Sequence, residues 1–235
     1  MKKISGYVMG LLVVAVVFSA CKKDNTPYTR TPAAGLMAFN LAPDKEAIGV
    51  RLSGNYLTNT PIGYNGYTGN YLPVYIGLRD ITVVDANTGT NLVTATGNFA
   101  DSMYYSLFTV GRKGSYHTIL VNDSLNNLAP STGKAFVRYI NAIPDSAISP
   151  KIVISSGEGS TFDSNASFGK VTGFGKIKAG NIDIKVSNGD SIIASRSIAL
   201  EEAKAYTILI SGIPGATDTT KSVQIKYITN GTITP

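Results

Sequence analysis

A single cysteine, a single histidine and a thin scatter of charge set the first limits on this 235-residue chain. With Cys21 as the only thiol, no disulfide can form within the chain, so stability must come from ordinary core burial. His117 is the only imidazole, too little for a histidine-built zinc site, and no Gly-x-Ser-x-Gly turn offers it a nucleophile. Charged residues make up 15% of the chain, and no run of Lys or Arg marks a nucleic-acid track despite a formal charge of +6. Phosphate loops ending in Gly-Lys-Ser or Gly-Lys-Thr are missing, as are calcium loops of the Asp-x-Asp-x-Asp-Gly type. The sequence therefore points away from an enzyme, a bound metal, a cofactor and a nucleic-acid partner.

Long apolar runs are missing too, with one exception at the start. Lys2 and Lys3 precede an apolar stretch from Tyr7 to Phe18, and small residues then lead to Cys21. That order describes a signal peptide over residues 1–20, too short and wrongly flanked for a membrane span. Val16-Val17-Phe18-Ser19-Ala20-Cys21 resembles the lipobox of bacterial lipoproteins, in which cleavage precedes the cysteine and its thiol carries lipid. This resemblance implies a cell-envelope protein anchored by lipid at Cys21, in the outer membrane, facing either the surface or the periplasm. Two or three acyl chains hold firmly where one alone is marginal. Residues 21–34, polar and carrying Pro27 and Pro32, read as the lipidated cysteine and a flexible tether.

What the rest of the chain contains is written twice. Phe39-Asn40-Leu41-Ala42-Pro43-Asp44 returns as Ile140-Asn141-Ala142-Ile143-Pro144-Asp145, and Tyr105-Ser106-Leu107-Phe108 returns as Tyr206-Thr207-Ile208-Leu209. Gly77-Leu78-Arg79-Asp80-Ile81-Thr82-Val83 likewise returns as Gly180-Asn181-Ile182-Asp183-Ile184-Lys185-Val186. Conserved order at nearly constant offset marks an internal repeat. Each copy consists of short runs of Val, Ile, Tyr, Phe and Thr split by Gly, Asn, Asp and Pro. Ile182, Ile184 and Val186 alternate with polar residues, which places them on one strand face, and Asn188-Gly189-Asp190 supplies a hairpin turn. Asp85 to Gly89 does the same in the first copy. No window supports a long amphipathic helix, and the best candidate, Ala199–Ala205, reads as a turn between two strands. The expected fold is all-β: two tandem immunoglobulin-like antiparallel β-sandwich domains of about seven strands each. Their bounds are 35–121 and 134–235, with 122–133 as the linker.

The Asn-Ala-Pro-Asp-like start, the Gly-x-x-Asp-Ile-x-Val strand and the later Tyr-Thr-Ile-Leu strand resemble the domain-of-unknown-function 4397 family. Over residues 35–230 the resemblance implies secreted or surface location and tandem β-sandwich copies. It brings no reaction, ligand or catalytic residue. The first copy departs from the pattern through extra residues between Asn55 and Tyr71.

That insertion holds Tyr56, Tyr64, Tyr67 and Tyr71 among Asn and Gly, a composition suited to recognising a glycan or a protein, because tyrosine gives a stacking face at low entropy cost. Against this, Phe168, Val171 and Phe174 stand opposite Tyr64, Tyr67 and Tyr71 in the second copy, as core packing would require. Tyr56 alone has no counterpart. Asp44 and Asp145 recur after proline, which suits a turn carboxylate accepting a local N–H rather than a catalytic pair. Glu158, Asp163 and Asn165 form an unspecific oxygen cluster. Five Asp-Ser/Thr triplets resemble bacterial O-glycosylation acceptors at Ser102, Ser124, Ser146, Ser191 and Thr219, although Asp-Ser and Asp-Thr also open turns. The expected function is non-enzymatic ligand capture or adhesion, with a fimbria-like or envelope-scaffold subunit as the alternative.

Overall fold

A computed structural model describes residues 30–144, 149–189 and 191–234. Cys21, Asp145, Ser146 and Asp190 lie outside the described residues. Residues 32–235 form one compact unit.

The first repeat runs β1 (Ala33–Asn40), β2 (Ala47–Leu52), β3 (Asn55–Tyr56), β4 (Ile62–Gly63), β5 (Leu72–Tyr75), β6 (Gly77–Asp85), β7 (Asn91–Phe99), β8 (Tyr104–Arg112) and β9 (Ser115–Asn122). A short 3-10 turn at Leu125–Asn127 leads to the second repeat. That repeat runs β10 (Lys134–Ala142), β11 (Lys151–Ser156), β12 (Gly159–Asn165), β13 (Gly175–Lys178), β14 (Gly180–Ser187), β15 (Ile193–Leu200), β16 (Lys204–Ser211) and β17 (Gln224–Thr232). No α-helix occurs among the described residues. Ala199–Ala205 closes β15, turns, and opens β16.

Each repeat is a two-sheet sandwich. The first pairs an inner sheet, β5-β1-β8-β9, with an outer sheet, β3-β2-β6-β7, to which β4 adds beside β2. The second repeats the plan as β13-β10-β16-β17 and β12-β11-β14-β15. Pairing is antiparallel throughout except β1 with β8 and β10 with β16, which are parallel. Leu36, Val83, Phe99 and Leu107 belong to the first core, and Tyr139, Ile152, Ile184 and Ile208 to the second. Burying side chains of this size is worth roughly 1.5–3 kcal/mol each.

The repetition extends to individual hydrogen bonds. The Asn40 amide donates to the Lys45 and Ile62 carbonyls and accepts from the Ala42 N–H; the Asn141 amide donates to the Ala166 carbonyl and accepts from the Ile143 N–H. Thr68 Oγ1 accepts from the Ala38 N–H, as Thr172 Oγ1 does from Tyr139. The Tyr105 hydroxyl accepts from the Ala100 N–H, and the Tyr206 hydroxyl from Glu201. Unpaired polar groups in a core are costly, so each recurring motif residue closes a backbone group that the sheets leave open.

The two inner sheets press against each other. Met37, Phe39, Phe108 and Val110 meet Ile140, Ala142, Leu209 and Ile228 in a third apolar cluster, giving a four-layered stack. Inner strands are therefore buried on both faces. β8 and β10 are almost continuously buried, whereas β14 in an outer sheet alternates strictly.

Candidate functional site

The insertion in the first repeat changes one sheet edge. In the second repeat β12 pairs with β11 over six positions as one strand. In the first, β2 meets two fragments: Arg51 and Leu52 face β3, while Ala47 and Ile48 face β4. Residues 57–61 bow outward between them. The bow walls a groove of about 280 Å³ lined by Gly49, Tyr56, Thr58, Pro61, Val84 and Ala86, just short of the usual range for small-ligand sites.

Tyr56 is the ridge of this groove and remains 53% exposed. Its ring lies across Gly49, where an added Cβ would come within 2.8 Å of the ring edge. The Arg51 guanidinium stacks 4.4 Å from the ring centroid and donates a hydrogen bond to the Tyr56 hydroxyl. The ring is thus braced at one edge by a glycine and capped by a cation, and more than half of the residue stays in solvent. A second groove of about 290 Å³ lies on the other flank of Tyr56, walled by Leu52, Pro73, Tyr75 and Arg79. In the second repeat, strand pairing places Val153, Asp163 and Lys185 where the first has Arg51, Tyr56 and Thr82. The aromatic platform belongs to the first repeat alone.

The other three tyrosines of the insertion are not gathered with Tyr56 into one patch. Tyr67 stacks on Phe39 at 5.6 Å, in the bridge position that Val171 holds in the second repeat. Tyr64 turns its hydroxyl into the protein beside Asn65 and Ser211, and burial pushes its pKa up. Tyr71 donates to Asp123, accepts from Asn230 Nδ2 at 2.9 Å and packs edge-on against Tyr104. Burial and the Asp123 carboxylate hold its hydroxyl well above the usual phenol range. The platform therefore consists of Tyr56 and Arg51 rather than four tyrosines, because Tyr64 and Tyr71 turn into the protein and Tyr67 lies against Phe39.

The sequence reading missed the polar cluster between the repeats. Arg138 is 1% exposed and donates to Asp123 at 2.7 Å, Ser106 at 2.8 Å and Thr207 at 2.9 Å. Its guanidinium also lies 4.5 Å from the Phe174 ring centroid. Asp123 accepts from Ser106 as well, and Thr207 donates to Asn230. Every named group has a partner, so this cluster cross-links four strands and the start of the 122–133 segment. Its signal in the sequence was one arginine inside the apolar run Ala135-Phe136-Val137-Arg138-Tyr139-Ile140.

The remaining candidates take structural positions. His117 is exposed and faces Val110 across the β8–β9 hairpin. Asp44 accepts from the Lys113 N–H at 2.7 Å and the Tyr116 hydroxyl at 2.8 Å. Its donors are thus distant in sequence, whereas the turn pattern called for a local one: the carboxylate pins the β8–β9 hairpin tip instead of closing its own turn. Glu158 is taken by Lys134 and Lys178, and Asp163 by Lys151 at 2.7 Å. Among the described residues no group of three or more His, Cys, Asp or Glu is placed to hold a metal ion. Ser102, Ser124, Ser191 and Thr219 are exposed on turns, but Asp123, which precedes Ser124, is buried.

Comparison with known proteins adds the family. Residues 34–148 match the family described as Domain of unknown function (DUF4397). That match takes in a little under half of the chain. The DUF4397 match covers the first sandwich and continues through β10 of the second. No curated protein matches the chain. Among solved structures, the chain is similar to family 41 carbohydrate-binding modules from streptococcal virulence factors, with 12% identity and a TM-score of 0.24, over 75% of this chain and 93% of that one. It is also similar to a family 26 module from Eubacterium rectale Amy13K, with 10% identity and a TM-score of 0.24, over 83% and 96%. A proposed cell adhesion protein from Bacteroides ovatus matches with 9% identity and a TM-score of 0.26, over 88% and 100%. Scores this low carry no function from those proteins to this one.

Proposed function

We propose that this protein is a non-enzymatic, lipid-anchored envelope protein that captures a glycan or protein ligand on its first DUF4397 sandwich. One observation carries the reading: an exposed tyrosine, backed by glycine and clamped by arginine, overlooks a groove at the edge that is split into two fragments in the first sandwich and paired as one strand in the second. A ring held in this way loses little freedom on stacking, which suits a sugar face or a peptide side chain. Thr58, Asn59 and Thr60 supply polar groups along the groove wall for a hydroxyl-rich or peptidic partner. The lipid would be carried by Cys21, and glycans on Ser102, Ser124, Ser146, Ser191 and Thr219 would cover turns while leaving the groove open.

The test is binding of the compact 32–235 unit to glycan arrays and to immobilised extracellular proteins. Tyr56→Ala should weaken capture about tenfold, the cost of losing a stacking contact of roughly 1.4 kcal/mol. It should leave thermal stability within about 0.5 kcal/mol, as for an exposed substitution. Equal capture by the wild type and Tyr56→Ala would remove this site. The assembly alternative draws on β12, an edge strand with one partner and an exposed outer side. Native mass measurements finding only monomer at high concentration would count against it.

A further inference from the structure

At the end where the chain enters, the first repeat exposes apolar side chains that the second does not. Two crossovers between the sheets form this rim, one around Tyr75–Leu78 and the other around Ala100–Tyr104. Tyr75 is 72% and Leu78 70% exposed; in the second crossover Met103 is exposed, and Tyr104 at the start of β8 packs edge-on against Tyr71 and keeps the rest of its ring in solvent. At the offsets of the repeat, Lys178, Asn181 and Lys204 stand in place of Tyr75, Leu78 and Met103. The scaffold therefore accepts charge at these positions, and packing does not require apolar residues there. A scattered exposed leucine needs no explanation, but several apolar residues gathered on one rim do.

The rim also fastens the incoming chain. The Ala33 N–H donates to Asp101 at 3.0 Å, the Ala33 carbonyl accepts from the Ser102 N–H at 2.9 Å, and Ala33 faces Tyr75 across β1 and β5. Residues 22–31, which separate Cys21 from this unit, span at most about 35 Å when fully extended. Arg79 donates to the Ile76 carbonyl at 2.7 Å and sits 5.8 Å from the Tyr75 ring, so a cation borders the apolar surface.

We propose that this rim docks on the lipid surface. Tyr75 and Tyr104 suit the headgroup level, Leu78 and Met103 reach the acyl boundary, and Arg79 faces lipid phosphates. The choice of a bilayer as partner rests on the lipid-anchor reading of Cys21. Docking would also cover the groove walled by Tyr75 and Arg79, leaving the groove beside Thr58 and Pro61 for ligand.

The chain has no tryptophan, so one introduced residue reports alone. Leu78→Trp and Ile193→Trp, the latter at a 79% exposed site on β15, would be compared in the full lipidated protein. The vesicles are phosphatidylethanolamine and phosphatidylglycerol, with and without brominated acyl chains. The expected result is blue-shifted, bromine-quenched emission from Leu78→Trp and none from Ile193→Trp. Protein that floats with vesicles yet shows unquenched Leu78→Trp emission overturns the docking and leaves the anchor standing. Protein that does not float removes the anchor reading, and the compact 32–235 unit is then added to the same vesicles. There, Tyr75→Lys with Met103→Lys should weaken partitioning of the Leu78→Trp unit about tenfold. No partitioning, or partitioning unchanged by those substitutions, overturns the proposal. A blue shift without vesicles overturns it in favour of a second copy of the chain.

Discussion

The two sandwiches of this chain share a scaffold and differ in what they do with its surface. Asn40 and Asn141, Thr68 and Thr172, Tyr105 and Tyr206 perform matched tasks, so the scaffold is held by the same bonds in both copies. At the edge the copies part. Val153, Asp163 and Lys185 make an ordinary face without an aromatic ring, whereas Arg51 and Tyr56 make a platform beside a groove opened by the insertion. They also differ where they touch. Met37 of the first repeat stands at the offset of Arg138 in the second, and only the arginine carries hydrogen bonds across the seam. These differences lie at positions whose side chains leave their own sandwich, which is where a duplicated fold can change without losing its core.

The largest expected effect would break the seam. Arg138→Ala should cost about 3–5 kcal/mol, because it leaves the Asp123 carboxylate buried without its cation. The same change should split a single unfolding transition into two if each sandwich keeps its own core, as calorimetry would show. Replacing both partners by leucine should recover part of the loss; a double variant worse than the sum of the singles would contradict the pairing.

Next in size are the matched asparagines. Asn40→Ala strands two carbonyls and one N–H and should cost about 2–3 kcal/mol, and Asn141→Ala, which strands one of each among the described residues, should cost at least about 1–2 kcal/mol. Denaturant melts of the two variants sharpen the comparison directly. A loss below about 0.5 kcal/mol in either variant would mean that its amide does not close these backbone groups.

The smallest effect concerns a turn that the repeats solve differently. Asp85 accepts from the Asn87 and Thr88 N–H groups and pairs with Lys45 at 2.9 Å; at the matching offset Asn188 accepts from the Ile192 N–H. The Lys45 contact, helped by those N–H groups, holds the Asp85 carboxyl below its usual value of 3.8, and the same contact raises Lys45. A depressed folded-state pKa means the contribution is complete above 3.8 and is lost as pH falls through the lower folded value. Asp85→Asn should therefore lower the melting temperature slightly at neutral pH. The gap should close under strongly acid conditions, and a gap that persists there would exclude the carboxylate as its cause.

Much of the fold was legible because strands in outer sheets bury one face. Ile182, Ile184 and Val186 alternate with Asp183 and Lys185, and the turn residues between β14 and β15 announce the hairpin. The repeat itself showed which segments must be equivalent. Tyr56 stood out for lack of a counterpart, and its place on the exposed edge agrees with that. Tyr64 and Tyr71 did not reveal their burial, since a tyrosine in a Gly- and Asn-rich insertion looks the same whether its ring meets solvent or another sheet. Nor did β8, β10 and β16 declare a seam: their near-continuous apolar runs fit any two-sided burial.

Local order and period were enough to determine strands, turns, the duplication and the all-β class, since each follows from backbone preference and one-faced burial within a few residues. The tertiary structure alone decided that the inner sheets meet, that Arg138 finds Asp123 between them, and that Tyr64 and Tyr71 turn inward while Tyr56 stays on the exposed edge. Those outcomes depend on which surfaces meet once both sandwiches have formed, and no local pattern encodes that meeting.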